Sequence, residues 1–262
     1  TVIAVPPLDV CFDIGKAPDQ FMSVNHVLLT HGHMDHSAGF AYYLSQRNFC
    51  GMAPGTILAP ANLIGTMQQI LDAWARLDGN LTPANLVGIK AGDEYAIKPN
   101  LFARAFPTKH TAGSVGFTVL EKRKKLKAEY AGLTGPQIVE LKKQGITIDN
   151  PVEIPLVSYF GDTQYVDFAQ LDYIAKSRIL IAECTFYEGE HVGRASAGRH
   201  MHIREFADLM GRLDNEYIII SHLTQRTPMG EIRKMLKKHL PREIHDKVIL
   251  LMDRKYRSHQ RR

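Results

Sequence analysis

The chain has 262 residues, 45% hydrophobic and 23% charged, a balance that allows a sizeable core and argues against disorder and collagen-like repetition. A formal net charge of +5 permits a polyanionic partner without requiring one. Cys11, Cys50 and Cys184 lie far apart with no C-x-x-C pair, which argues against a disulfide framework or a cysteine zinc cage and for a reducing, cytoplasmic compartment.

Short β-rich segments open the chain at 1–5, at 8–14 and at 26–30, bounded by Pro, Gly and Asp as strands are. From Ala61 to Leu77, the residues Ile64, Met67, Ile70, Leu71, Trp74 and Leu77 recur at helical spacing, predicting a helix with its apolar stripe on a core. Further strands are expected at 101–106, 114–120, 154–160, 178–182, 216–221 and 247–251. Two helices fall among the last of these, one over 203–213 and one with Thr227 as N-cap and Pro228 in its first turn. Strand pairs early and strand–helix alternation late predict an α/β layered fold in one domain over 1–262. No apolar run approaches the roughly 18–20 residues of a membrane span, and the first residues lack the order of a signal peptide.

Glu121–Pro151 interrupts this rhythm and reads as an insertion. A basic run (Lys122, Arg123, Lys124, Lys125, Lys127) leads to a Gly-Pro turn at Gly135-Pro136 and then to Lys142-Lys143.

The twelve histidines organise the rest. Thr30-His31-Gly32-His33-Met34-Asp35-His36 directly follows an apolar strand, and three imidazoles with a carboxylate there cannot all be buried unpaired. A metal satisfies them all. On a tight loop, His31 and His33 project to one side and Asp35 and His36 to the other, which suits two adjacent ions. Imidazole and carboxylate favour zinc and also accept manganese or iron. His110, Asp162 and His222 each follow an apolar strand where the chain turns, and supply the further ligands that two ions require.

These residues resemble the metallo-β-lactamase fold superfamily, over nearly the whole chain. The resemblance implies a four-layer αββα sandwich in which one ion takes His31, His33 and His110, the other takes Asp35, His36 and His222, and Asp162 bridges them. A hydroxide shared by the two metals would then attack a phosphodiester, and a general acid from outside the ligand set must protonate the leaving oxygen. Ala182-Glu183-Cys184-Thr185 and the stretch containing His200 and His202 offer that acid. The combination is similar to the ribonuclease Z branch, endonucleases that remove 3′ trailers from precursor tRNA. In that branch the acidic His stands 22 residues before the last ligand, as His200 does before His222. Asp35, Glu183 and His200 are thereby implied as catalytic residues, with His202 the alternative to His200.

The same branch carries a tRNA-gripping arm with a Gly-Pro element between the third His and the bridging Asp, the interval that Glu121–Pro151 occupies. Lys122, Arg123, Lys124, Lys125, Lys142 and Lys143 are thus candidate RNA contacts, and Arg226 resembles an Arg that meets phosphate near the site. A homodimer is a common state of the family. The basic tail, Arg254–Arg262, is either an RNA contact or a solvated end. Asp13–Lys16 and Ser37–Phe40 depart from the family pattern and are expected to shape substrate access. Open alternatives are a small-molecule or cyclic-nucleotide phosphodiesterase, and an ester or lactone hydrolase on the same scaffold.

Overall fold

The computed structural model describes residues 1–224 and 226–251, so the basic tail lies outside the described residues. In chain order the first half runs β1 (Ile3–Val5), β2 (Val10–Phe12), β3 (His26–Leu28), α1 (Met34–Ser37), α2 (Phe40–Phe49), β4 (Thr56–Pro60), α3 (Ile64–Asp78), β5 (Asn85–Ile89), β6 (Glu94–Lys98), β7 (Leu101–Pro107) and β8 (Val115–Leu126). It continues with α4 (Gly135–Lys143), β9 (Asp149–Tyr159), α5 (Asp172–Ala175), β10 (Ile179–Glu183), α6 (Val192–Gly198), α7 (Ile203–Met210), β11 (Tyr217–Ser221), α8 (Met229–His239), α9 (Arg242–His245) and β12 (Val248–Leu250). One sheet has the order β1-β2-β3-β4-β5 and the other β12-β11-β10-β9-β8-β7-β6.

Period-two alternation on strands buried on both faces creates the layers. Phe12, Leu28 and Leu58 of the first sheet meet Phe117, Val119, Val157 and Ile181 of the second in a core between the sheets. Their neighbours Cys11, Val27, Leu29, Ile57 and Ala59 face the other way, onto Phe40, Tyr43 and Leu44 of α2 and Met67 and Leu71 of α3. On the far side of the second sheet, Leu180, Ala182, Ile218 and Ile220 pack on Phe206, Leu209 and Met210 of α7 and Ile232 and Leu236 of α8. The result is helix, sheet, sheet, helix, the expected αββα sandwich.

Several local expectations need correction. Only Met67 and Leu71 of the α3 stripe are buried, packing into the core shared with α2, while Trp74 and Leu77 are 54% and 76% exposed. α8 begins at Met229 with Pro228 in the cap position, and the Thr227 hydroxyl donates instead to Glu188 Oε1 (2.7 Å). β4, β5, β6 and α2 have no counterpart in the sequence reading. The two strands flanking the basic segment are longer than expected, β8 reaching Leu126 and β9 starting at Asp149. Gly135-Pro136 is not a turn but the first turn of α4, where Pro is well tolerated and Thr134 and Gln137 form a capping box. Among the described residues, no helix is long and apolar enough to cross a membrane.

Candidate metal centre

Loops from both sheets meet at one edge. β3 runs into His31–His36, β7 into His110, β9 into Asp162 and β11 into His222. Two glycines permit the close approach. A Cβ on Gly15 would collide with the Asp35 carbonyl, and Gly161, at φ +64, has the Thr30 side chain where a Cβ would come within 2.8 Å. Ile14 N–H donates to the His36 carbonyl (2.8 Å), tying the metal loop to the segment after β2.

Within this edge, His31, His33, His110 and Asp162 form one group of ligand atoms near enough together for a single cation, and Asp35, His36 and His222 form a second. Asp162 Oδ2 faces both groups, 3.9 Å from Nε2 of His31 and of His110, 3.4 Å from His36 Nε2 and 3.2 Å from His222 Nε2.

The outer hydrogen bonds dictate which ring nitrogen is left for a cation. His36 Nδ1–H donates to Asp13 (2.7 Å), and His110 Nδ1–H to the Arg199 carbonyl (3.1 Å). His31 Nδ1 donates to Thr30 Oγ1 (2.9 Å), whose own proton goes to Asp13 (3.0 Å). His222 Nδ1 donates to Thr185 Oγ1 (3.0 Å), whose proton goes to Glu183 Oε2 (2.6 Å). Four Nε2 atoms therefore face inward, and such outer partners fix ring orientation in metal sites. His33 Nδ1 lies 3.1 Å from His110 Nε2.

Two buried atoms at the centre of this arrangement, His31 Nε2 and Asp162 Oδ1, have no hydrogen-bond partner. Each such orphan costs about 1–3 kcal/mol in a folded protein, and a divalent cation between them removes that cost. Burial, aided by His36, pushes His31 down to about 3, which keeps its imidazole neutral, the form that binds metal. Burial opposes charge on His36 as well, but Asp13 and Asp162 outweigh it and raise that ring to about 10. Burial would raise the Asp162 carboxyl, yet the hydrogen bond from His36 and the charges of His222, His36 and His31 hold it low and ionised. The donor set fits divalent metal binding.

Beside the cluster lies an acid–imidazole pair, its acid buried and its imidazole half-buried. Glu183 ends β10 fully buried, and accepts from His200 Nδ1 (3.0 Å), Thr163 N–H (2.5 Å), the Thr185 hydroxyl and Met201 N–H (3.3 Å). Burial raises the Glu183 carboxyl, against the pull of His200. His200 is raised as well, because its hydrogen bond and charge interaction with Glu183 outweigh its burial. The His200 ring stacks on His222 (centroids 5.0 Å apart) and lies 4.9 Å from His110. His202 occupies a different place. It caps α7 by accepting from Arg204 N–H (3.3 Å), and its Nε2 meets the Glu188 carbonyl (3.1 Å). Asp162, His200 and His222 also form a third group within ligand reach of one cation.

The expected RNA contacts of the basic segment are not at this edge. Lys122 pairs with Glu94 (2.6 Å) and Glu153 (3.6 Å), and Arg123 with Glu121 (2.7 Å). Lys124, Lys125, Lys142 and Lys143 are exposed, the last two in the final turn of α4. Arg226 is exposed in the loop after His222.

Asp13 is the residue that the sequence reading misplaced. It does not shape substrate access but lies fully buried beneath the metal loop, accepting from Thr30 N–H (2.8 Å), His36 and the Tyr159 hydroxyl (2.7 Å). A carboxylate ending the apolar strand β2 was its only signal. Thr185, which relays between His222 and Glu183, had none beyond its closeness to Glu183.

Comparison with known proteins agrees with this geometry. A family model described as a beta-lactamase superfamily domain matches residues 12–223. The chain is 33% identical to tRNase Z TRZ1 of Arabidopsis thaliana over 96% of its own length and 90% of that protein. Among solved structures, it resembles the short form of human tRNase Z, ELAC1, with a TM-score of 0.60 and 15% identity over 96% of this chain and 88% of that one. It also resembles the metallo-beta-lactamase fold protein YhfI of Bacillus subtilis, with a TM-score of 0.63 and 15% identity over 92% and 83%. The chain therefore belongs to the beta-lactamase superfamily and, within it, to the tRNase Z family of metal-dependent hydrolases.

Proposed function

We propose that the chain is a dinuclear zinc endoribonuclease that removes 3′ trailers from precursor tRNA, acting as one domain over 1–262. The observation that carries this reading is His200 set 3.0 Å from the buried Glu183 and against the ligand cluster, a proton source that a phosphodiesterase requires. The tRNase Z name of the Arabidopsis relative supports the choice of RNA.

Ions held by His31, His33 and His110, and by Asp35, His36 and His222, with Asp162 shared, would polarise a phosphoryl oxygen and make a nucleophile from water at neutral pH. Asp13 and Thr30 hold His36 and His31 in register, and Thr185 does the same for His222. Glu183 occupies His200 Nδ1 and favours the imidazolium, which leaves Nε2 to pass a proton to the leaving oxygen. His202, fixed as the cap of α7, has no such freedom.

At the far end of the β8–β9 ladder, the exposed Lys124, Lys125, Lys142 and Lys143 would grip the body of the tRNA. The three cysteines are free thiols, which supports a reducing compartment and fits the cytoplasm. The apolar face that α2 and α3 leave exposed at Tyr42, Trp74 and Leu77 supports a homodimer.

The deciding assay sets a precursor tRNA with a 3′ trailer beside a cyclic nucleotide, using the zinc-loaded protein. Cleavage at the trailer junction is expected. Turnover of the cyclic nucleotide with the precursor left intact would replace this reading by that of a small-molecule phosphodiesterase.

A further inference from the structure

Arg199 is hydrogen-bonded to His110 of the metal cluster and immediately precedes His200, and nothing above gives its side chain a task. α6 ends at Gly198, and Arg199 follows in the left-handed region at φ 54 and ψ 48. Glycine is the ordinary occupant of such a helix end, since a Cβ is disfavoured there. This chain has its glycine one position early and an arginine in the strained place.

The arginine is held from two sides. Its Nη1 donates to the His110 carbonyl (2.7 Å), while His110 Nδ1–H donates to the Arg199 carbonyl (3.1 Å). Strain of this kind persists where neighbours over-determine a residue, and it points towards function.

Charge supplies the second observation. Arg104, Arg123, Arg178 and Arg212 each lie against a carboxylate. Arg199 is exposed, and among the described residues no carboxylate lies within ion-pairing distance of it. A full positive charge, with one nitrogen anchored on the His110 carbonyl and no carboxylate among the described residues on its other donors, is held one residue before His200. Guanidinium donors suit the paired oxygens of a phosphate.

We propose that Arg199 binds a non-bridging oxygen of the phosphodiester presented to the metal centre. The proposal rests on the phosphodiesterase reading above. The contact would belong to this chain's own use of an arginine where the backbone favours glycine.

Arg199→Gly removes the guanidinium and relieves the backbone, so it separates binding from folding. With zinc-loaded protein, bis(p-nitrophenyl) phosphate and a precursor tRNA, the expected result is a kcat/KM about tenfold lower on both substrates. On the precursor, the plot of log kcat/KM against log salt should become shallower by about one. Zinc content should be unchanged and the melting temperature equal or higher. Arg199→Lys should recover part of the loss.

Unchanged kinetics and salt slope in Arg199→Gly would overturn the proposal. Loss of zinc or a lower melting temperature would overturn it too, by making Arg199 a prop for His110. If the unsubstituted chain cleaves the small diester but not the precursor, the tRNA reading fails, and the Arg199→Gly effect on the small diester still decides this one. If it cleaves neither, both fall.

Discussion

One antiparallel ladder, β8 against β9, has chemistry at one end and basic charge at the other. At the first end, Val115–Leu120 and Val157–Tyr159 are buried, and the chain enters β8 from His110 and leaves β9 towards Asp162. At the second, Arg123–Leu126 are exposed and lead to the lysines of α4. A twelve-residue strand at about 3.4 Å per residue separates the two by roughly 37 Å. The buried end is over-determined, with four of its five candidate ligand rings fixed by an outer partner. The exposed end is held by ion pairs within its own sheet. Catalysis needs the first kind of rigidity, whereas a contact to the body of an RNA far from the cut needs only reach and charge.

The largest effects should come from the buried end. Dialysis against EDTA should abolish precursor cleavage and lower the melting temperature, with zinc restoring both, since a ligand of the native state stabilises it. Persistence of activity in fully demetallated protein would remove the metal from the reaction. His200→Ala should slow cleavage by about 10²–10³-fold while zinc stays at two per chain. A fall to one zinc would make His200 a ligand within the group it forms with Asp162 and His222.

Asp13→Asn comes next. It keeps the shape but takes the charge from beneath His36, and zinc affinity should fall by roughly 10–100-fold with the fold intact. Isothermal titration of the demetallated protein measures this. Unaltered affinity would show that the charge of Asp13 does not set the affinity of His36 for zinc.

The sequence made the buried end legible and the exposed end much less so, for a physical reason. His31, His33, Asp35 and His36 are dense enough that no bland surface explains them, and strand ends marked His110, Asp162 and His222. Asp13 was opaque because its partners lie far off in sequence, Thr30 and His36 in the metal loop and Tyr159 at the end of β9. The edge strands β5 and β6 were opaque because half-exposed residues blur their alternation. In the basic run, spacing alone could not tell a lysine aimed at RNA from one aimed at a carboxylate. Glu94 is distant in sequence from Lys122 and meets it only through the β6-β7-β8 order.

At the exposed end, replacing Lys124, Lys125, Lys142 and Lys143 together by Ala should raise KM for the precursor about tenfold at moderate salt and leave kcat nearly unchanged. A small phosphodiester should be cleaved as before. Equal losses on both substrates would mean that the hairpin supports the fold of the site rather than the tRNA.

The smallest effect should be that of Lys122→Ala, and it separates the two kinds of charge within one strand. Lys122 and Lys124 lie on the same face of β8, opposite Glu153 and Pro151 respectively. Lys122 is already matched by Glu94 and Glu153, which Arg104 also contacts, so the four charges form a neutral cross-strand group. Drawing its ammonium towards a phosphate would leave those carboxylates less compensated, which offsets most of the gain. Exposed pairs of this kind contribute about 0.2–1 kcal/mol to stability, so a small drop in melting temperature is expected together with less than about a twofold change in KM for the precursor. Lys124→Ala alone should reverse the pattern, with KM rising and the melting temperature constant. A larger KM effect from Lys122 than from Lys124 would show that RNA displaces the carboxylates, and that the paired part of the hairpin belongs to the grip.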